Sequence, residues 1–411
     1  MMCKELAAAR PPCPVALYQR SAFDAVLTYF DESLHAFSCY HNQSRMLRSL
    51  PPFRADQVGS LLRPQELKEA RAKREKGAIT AEELKAVEDR CIKDLIAKEE
   101  AVGLLGITDG EFRRSFWHLD FLEKLKGVEG YDAEQGITFQ EGKTKAKGLR
   151  VTGKLDFVDH PFIEHFKFLQ ANTTRTPKMT IPSPSVLHYR GGRNAVTGQV
   201  YPVIDEFYHD LGQAYKKAVA ALGAAGCKYL QLDEVNFTYL CDTDQRQMLR
   251  DRGDNPDKLP DIYADMINAA ISGRPEGMRM TMHLCRGNYK SMWIAQGGYE
   301  PVAEVLFHKI NIDAYFMEWD SDRAGSFEPL RLVPKNKQVV LGLVTTKTGK
   351  LETKDELKRR IDEASKFIDL DQLCLSGQCG FASTEEGNLL AEEEQWAKLR
   401  LVVETANEVW G

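Results

Sequence analysis

Long apolar runs are missing from this sequence: no stretch approaches the roughly 20 residues that a membrane-spanning helix requires. The first 50 residues hold no signal-like apolar core and include Glu5, Asp24, Asp31 and Glu32. These absences set the expectation of a soluble, cytoplasmic protein with no membrane partner. Basic clusters are missing too. Lysine and arginine number 55 against 60 acids and are scattered among them, so the net charge of −5 leaves no footprint for a phosphate backbone. Nucleic acid is not an expected partner. The dense cysteine spacing of a secreted disulfide scaffold is absent as well: the nine cysteines, at 3, 13, 39, 91, 227, 241, 285, 374 and 379, are odd in number and far apart. Some are therefore expected as reduced thiols, available for metal or thiol chemistry. Nothing repeats with solenoid periodicity, and no tract is of low complexity.

What is present is a globular composition, 43% hydrophobic and 28% charged, in a chain of 411 residues that allows a large core. Residues 1–50 show no sustained period and read as an extension, weakly ordered or docked. From residue 53 short apolar runs alternate with long helical patterns. The runs are "FRADQVGS" from Phe53, "LLGITDGE" from Leu104, "PKMTIPSP" from Pro177, "KYLQLDEV" from Lys228, "MRMTMHLC" from Met278, "AYFMEWD" from Ala314, "QVVLGLVT" from Gln338 and "QLCLSGQCG" from Gln372. Helical stretches such as "PQELKEARAKREKG", "VIDEFYHDLGQAYKKAVAALGAAG" and "KDELKRRIDEASKFI" lie between them. Eight alternating units predict an α/β fold, a (β/α)8 TIM barrel over 51–411. Residues 117–172 are too long for a simple crossover, and their alternating "ITFQEG" and "GLRVTGKLDF" predict a β-hairpin insertion near the barrel mouth.

A barrel assembles its site at the carboxyl ends of its strands, and polar residues collect there in this sequence. They include Ser60, Asp109 with Glu111, Ser183, Asp233 with Glu234, Glu318 with Asp320, Lys347 and Cys379. His283 and Cys285, two apart on a strand, share one face. Imidazole and thiolate suit zinc better than magnesium or calcium, and Glu318 and Cys379 could complete a ligand set from later strands. Bland readings stand beside this one. A His-x-Cys pair is more often core than metal site, Cys379 could be a small residue beside a glycine turn, and Glu318 could pair with an arginine. Cys374, inside the last strand, reads as a core thiol.

Six motifs, "QVGSLLRP", "ITDGEFRR", "LQLDE", "HLCRGN", "FMEWD" and "SGQCGFAS", occur in this order at spacings that resemble the catalytic barrel of cobalamin-independent methionine synthase, closest to its shorter single-barrel relatives. The resemblance covers roughly residues 50–411. It implies a zinc ion held by His283, Cys285, Glu318 and Cys379, which binds a small thiol substrate such as homocysteine as thiolate for methylation by a methyl-folate co-substrate. It also implies that Ser60, with the backbone of Val58 and Gly59, contacts the amino-acid substrate, that Glu111 and Asp233 hold its ammonium group, and that Tyr189 stacks on the pterin.

One departure stands out. Where the family carries an Asp-x-His whose histidine protonates the leaving folate nitrogen, this sequence reads "LGLVTTKTGKLE", with Lys347 in the histidine's place. A lysine with a pKa near 10.4 is a poor general acid there but a ready partner for an anionic group. Zinc-dependent methyl transfer to a thiol is the leading expectation. The alternatives are thiol transfer to another electrophile, as in coenzyme M transferases of the same superfamily, and a non-catalytic barrel with structural zinc.

Overall fold

The computed structural model describes residues 50–134, 136–140, 142–145 and 147–411. The expected extension over 1–50 lies outside the described residues but for Leu50. In chain order the strands are β1 (Gly106–Ile107), β2 (Lys126–Asp132), β3 (Lys147–Asp156), β4 (Thr176–Pro182), β5 (Tyr229–Glu234), β6 (Arg279–Leu284), β7 (Ala314–Glu318), β8 (Gln338–Val344) and β9 (Leu373–Gly377). Seven of them form one parallel sheet in the order β1-β4-β5-β6-β7-β8-β9. Every residue of β5, β7, β8 and β9 is buried, as in a sheet covered on both faces, and this is why apolar residues do not simply alternate with polar ones and polar ones collect toward strand ends. The covering helices start where the sequence caps them. Thr80 and Glu83 form a capping box for Ala81–Val102, and Thr353 with Glu356 does the same for Lys354–Ala364. Among the described residues no helix is long and apolar enough to cross a membrane.

The predicted eight-stranded closure does not form. The sheet is a curled, seven-stranded half-barrel, and the first expected strand, "FRADQVGS", contributes one bridge, Ala55 to Leu375. The reason lies in Asp56. Its carboxylate accepts hydrogen bonds from the backbone N–H groups of Phe53 (3.0 Å) and Gln57 (2.8 Å) and from the Tyr229 hydroxyl (2.8 Å), and it pairs with Lys178 at 3.2 Å. A side chain that captures neighbouring N–H groups folds the backbone into a turn and withdraws those donors from a ladder. Gly59 continues the departure. Its φ of +142° is open to glycine, and a Cβ there would lie 2.7 Å from Thr180 Cγ2, so the chain passes hard against β4 instead of pairing with it.

Between β1 and β4 the chain makes a separate two-stranded antiparallel sheet, β2 with β3, with a register shift between Lys126 and Val128. Within it Val151 is buried and bridges to Val196, so the hairpin leans on the segment after the helix Ser185–Gly191. The contacts of Pro51–Gly411 define one compact unit.

Candidate metal centre and substrate cavity

Adjacent parallel strands bring four ligand-type side chains to one point. His283 lies near the end of β6 and Cys285 just beyond it, Glu318 closes β7, and Cys379 follows β9. One potential ligand atom from each lies within 4.8 Å of all the others, and all four residues are buried. The two Sγ atoms are 3.4 Å apart. Local structure holds each member. The Cys285 N–H donates to the Glu234 carbonyl at 2.9 Å, and the Glu318 N–H donates to the Tyr299 hydroxyl at 2.8 Å. Gly380 matters for what it omits: a Cβ there would sit 1.9 Å from Ser60 Oγ, so only glycine lets the Ser60 loop close on Cys379.

Neither ring nitrogen of His283 has a hydrogen-bond partner although both are buried, an arrangement that costs free energy unless something accepts the lone pair. Two thiols, an orphaned imidazole and a buried carboxylate form a donor set able to hold a metal ion, of a chemistry consistent with zinc. The electrostatics agree. Burial disfavours the charged imidazolium, yet Cys379, Asp233 and Glu318 hold the His283 pKa above its ordinary value. The hydrogen bond from Cys285 pulls the Cys379 thiol well below the usual range, and the Cys285 thiol moves up in return: the pair shares one proton and gives up the second reluctantly. Burial raises Glu318, against the pull of Arg323 and Arg286, whose guanidinium groups stand 3.5 and 3.9 Å from Oε2. A pocket this rich in electrons is built to receive a cation.

The cluster opens on a cavity. Val58, Ser60, Glu111 and Asp233 line it together with His283, Cys285 and Cys379, while Phe116, Trp117, Phe139 and Tyr239 form an aromatic wall. Gly59 lies just behind, against Glu111 and Thr180. Two expected residues are placed differently. Tyr189 is buried off the cavity, its hydroxyl directed at Gln245 (3.3 Å) and its ring against Tyr239 (5.5 Å). Lys347 is buried beside the cluster and outside the lining, with Nζ donating to Asn288 Oδ1 (3.2 Å) and the Gly287 carbonyl (3.5 Å).

The model of the family described as cobalamin-independent synthase, catalytic domain, matches residues 53–408. The chain belongs to this cobalamin-independent synthase family. This family member is 52% identical over 361 residues to the uncharacterised protein YxjH of Bacillus subtilis (strain 168), covering 87% of this chain and 95% of that one. A crystal structure from Listeria monocytogenes, provisionally described as a vitamin-B12 independent methionine synthase, shares 43% identity and a TM-score of 0.71, covering 88% of this chain and 99% of that one. The methionine synthase of Pyrococcus furiosus is 24% identical over 333 residues, covering 80% of this chain and 87% of the relative.

In this member of the cobalamin-independent synthase family the carboxyls of both cavity acids are raised. Glu111 has a positive φ of 60°, a conformation uncommon outside glycine, held where Oε1 meets Arg114 (3.2 Å) and accepts from Thr180 Oγ1 (2.9 Å). Its Oε2 is buried without a partner. Burial, and then the charge of Glu111, push the Asp233 carboxyl up to about 7, while Gln231 donates to its Oδ1 at 2.7 Å. The pair is therefore short of positive charge. Sequence reasoning missed the aromatic wall, Arg190 and Asn288. "SFWH" after Arg114 held a readable signal in its adjacent aromatics, whereas Phe139 lies in the hairpin connection and Tyr239 in a four-residue helix, where no period marks the inward side.

Proposed function

We propose that this chain is a zinc-dependent S-methyltransferase acting on a small thiol that also carries an ammonium group, homocysteine being the acceptor and a methyl-folate the donor that the family relationship favours. The observation that carries this reading is the four-residue cluster opening on a cavity that Asp233 and Glu111 also line, the Oε2 of Glu111 being without a partner. His283, Cys285, Glu318 and Cys379 would hold the ion. Zinc bound there supplies a Lewis acid that keeps a thiol ionised at neutral pH, where a free thiol of pKa about 8.5 is mostly protonated.

The protein's own groups do the rest. Glu111 Oε2 and Asp233 accept hydrogen bonds from the substrate ammonium, and its positive charge relieves their mutual repulsion. Ser60 Oγ and the Val58–Gly59 backbone orient the other end of the amino acid. Phe116, Trp117, Phe139 and Tyr239 exclude water from the reacting sulfur and offer flat faces to the donor. The Lys347 ammonium, turned toward Asn288 and Gly287, compensates the anionic ligand set as a positioning residue. A role for Lys347 in binding the anionic substituent of another electrophile draws no support from that position.

The deciding experiment is zinc quantification on the purified chain with and without Cys379→Ser, followed by X-ray absorption on adding homocysteine. The expected result is about one zinc per chain, lost or weakened in the variant, with one further sulfur joining the metal when the thiol is added. A wild-type protein without zinc, or a metal shell unchanged by homocysteine, refutes the proposal.

A further inference from the structure

Tyr239 closes the short helix Asn236–Tyr239 that follows β5, and it lines the cavity together with Cys285. Its place is fixed from two sides. The Asn236 N–H donates to Glu234 Oε1 (2.5 Å) and its side-chain amide to Ser185 Oγ (2.7 Å). Thr238 Oγ1 shares its proton between the carbonyls of Val235 (2.6 Å) and Cys285 (2.5 Å). The turn that carries Tyr239 is thereby tied to a strand end and to a member of the metal cluster.

The residue is buried, yet its hydroxyl has no hydrogen-bond partner among the described residues. Arg190 lies 6.0 Å from the ring centre, but a guanidinium only donates and so cannot take the phenolic proton however it turns. Burial holds the hydroxyl in its protonated form against the pull of Arg190, and the charges of Cys285 and Glu318 add to that effect. It is a donor with nothing to donate to. An unmatched buried hydroxyl costs stability. Tyr215 carries the same cost without a site: its hydroxyl also lacks a partner, but its ring packs in the core against Phe121 (5.4 Å) and does not line the cavity.

On the proposed function the polar groups of the thiol substrate are already matched, the ammonium by Glu111 and Asp233, the other end by Ser60 and the Val58–Gly59 backbone, and the sulfur by the metal. The spare donor is left for the second substrate. We infer that Tyr239 is a further catalytic residue whose hydroxyl donates a hydrogen bond to the leaving atom of the methyl donor, and that this atom is a nitrogen or an oxygen rather than the sulfur of a sulfonium. The inference rests on the methyltransferase reading. In the step, an electron pair of the thiolate sulfur forms the new S–C bond, the bond between the methyl carbon and the leaving atom breaks, and its electron pair stays on that atom, where the Tyr239 O–H meets it. Tyr239 keeps its proton. Solvent supplies the proton that the leaving atom finally takes, replacing the one the thiol released when it ionised. A departing thioether is a weak acceptor and would gain little from this hydroxyl.

The test compares two donors in the full chain loaded with zinc and saturated with homocysteine: methyl-folate, whose leaving atom is nitrogen, and methyl iodide, whose leaving iodide accepts hydrogen bonds poorly. Zinc-dependent methyl transfer in a single turnover is measured for the wild type, Tyr239→Phe and Tyr215→Phe, and each protein is melted without substrates. Tyr239→Phe is expected to slow transfer from methyl-folate about 100-fold and from methyl iodide less than about threefold. It should melt at or above the wild-type temperature, because the lost hydroxyl had no partner. Tyr215→Phe should melt likewise and slow neither donor. The inference is overturned by equal slowing with both donors, by undiminished transfer from methyl-folate, by a lower melting temperature of Tyr239→Phe, by an equal effect of Tyr215→Phe, or by a wild type that uses methyl iodide and not methyl-folate. A wild type that uses neither donor overturns the methyltransferase reading itself.

Discussion

Replacing Asp56 by alanine should damage this protein more than its distance from the cluster suggests. Asp56 and Lys178 are fully buried and 3.2 Å apart, and the carboxylate also accepts from two backbone N–H groups and the Tyr229 hydroxyl. Lys178 donates to the Gln57 carbonyl and sits over Phe316, 4.0 Å from the ring centre. Removing the carboxylate leaves an ammonium in an apolar interior with one carbonyl and two rings for company. Breaking a buried pair from one side costs about 3–5 kcal/mol, because the orphaned charge keeps its desolvation penalty. For a chain of this size that corresponds to a fall of about 4–6 °C in Tm. Urea unfolding of Asp56→Ala, Lys178→Met and the double variant, followed by circular dichroism, measures it. The double variant should recover much of the loss, since two apolar groups need no compensation. A loss below about 1 kcal/mol in Asp56→Ala, or a double variant as unstable as the sum of the singles, refutes the argument. Because Asp56 also anchors the turn leading to Ser60, homocysteine affinity should fall with stability.

Three shorter predictions follow from the same structure. His160 and His188 are held at about 4, chiefly by burial, against roughly 6.5 for an exposed histidine. Unfolding restores the higher value, so the unfolded chain takes up protons that the folded one refuses. Stability is full above pH 6.5 and declines as the pH falls toward 4, by up to about 3 kcal/mol per histidine; urea midpoints that stay flat between pH 7 and 4.5 contradict this. Glu111→Gln removes a charge from the proposed ammonium site and should weaken homocysteine about 10–100-fold by calorimetry with zinc content unchanged; equal affinity in the two proteins counts against that role. Lys347→Met should lower zinc affinity about tenfold or more in chelator competition, with Lys347→Arg restoring part of it, whereas unaltered zinc affinity removes Lys347 from the metal's surroundings.

Much of the architecture is readable from residue type alone, because a strand buried on both faces is largely apolar, as β8 is from Val339 to Val344. The same rule fails at Phe53–Ser60, where apolar residues flank an aspartate that captures backbone donors; a propensity count cannot see that the carboxylate will meet Lys178 and Tyr229. The cluster of His283, Cys285, Glu318 and Cys379 is legible because strand ends converge and each residue type has metal chemistry. Direction is the harder part. Tyr189 and Tyr239 touch one another, yet only Tyr239 faces the cavity, and no spacing in the sequence separates them. Lys347 follows β8 and lies near the cluster, but whether its ammonium reaches a substrate or turns to Asn288 depends on packing across about sixty residues of chain.

The β2–β3 hairpin contributes no strand to the parallel sheet and none of the four residues of the candidate metal cluster, yet Tyr131, Lys147 and Leu149 wall a separate cavity and the connection between its strands delivers Phe139 to the cavity beside the cluster. On the proposed function, exchanging this hairpin for another would alter which molecules reach the cluster while its four residues stay in place on the parallel sheet, so new substrate ranges could be sought by grafting a single contiguous segment.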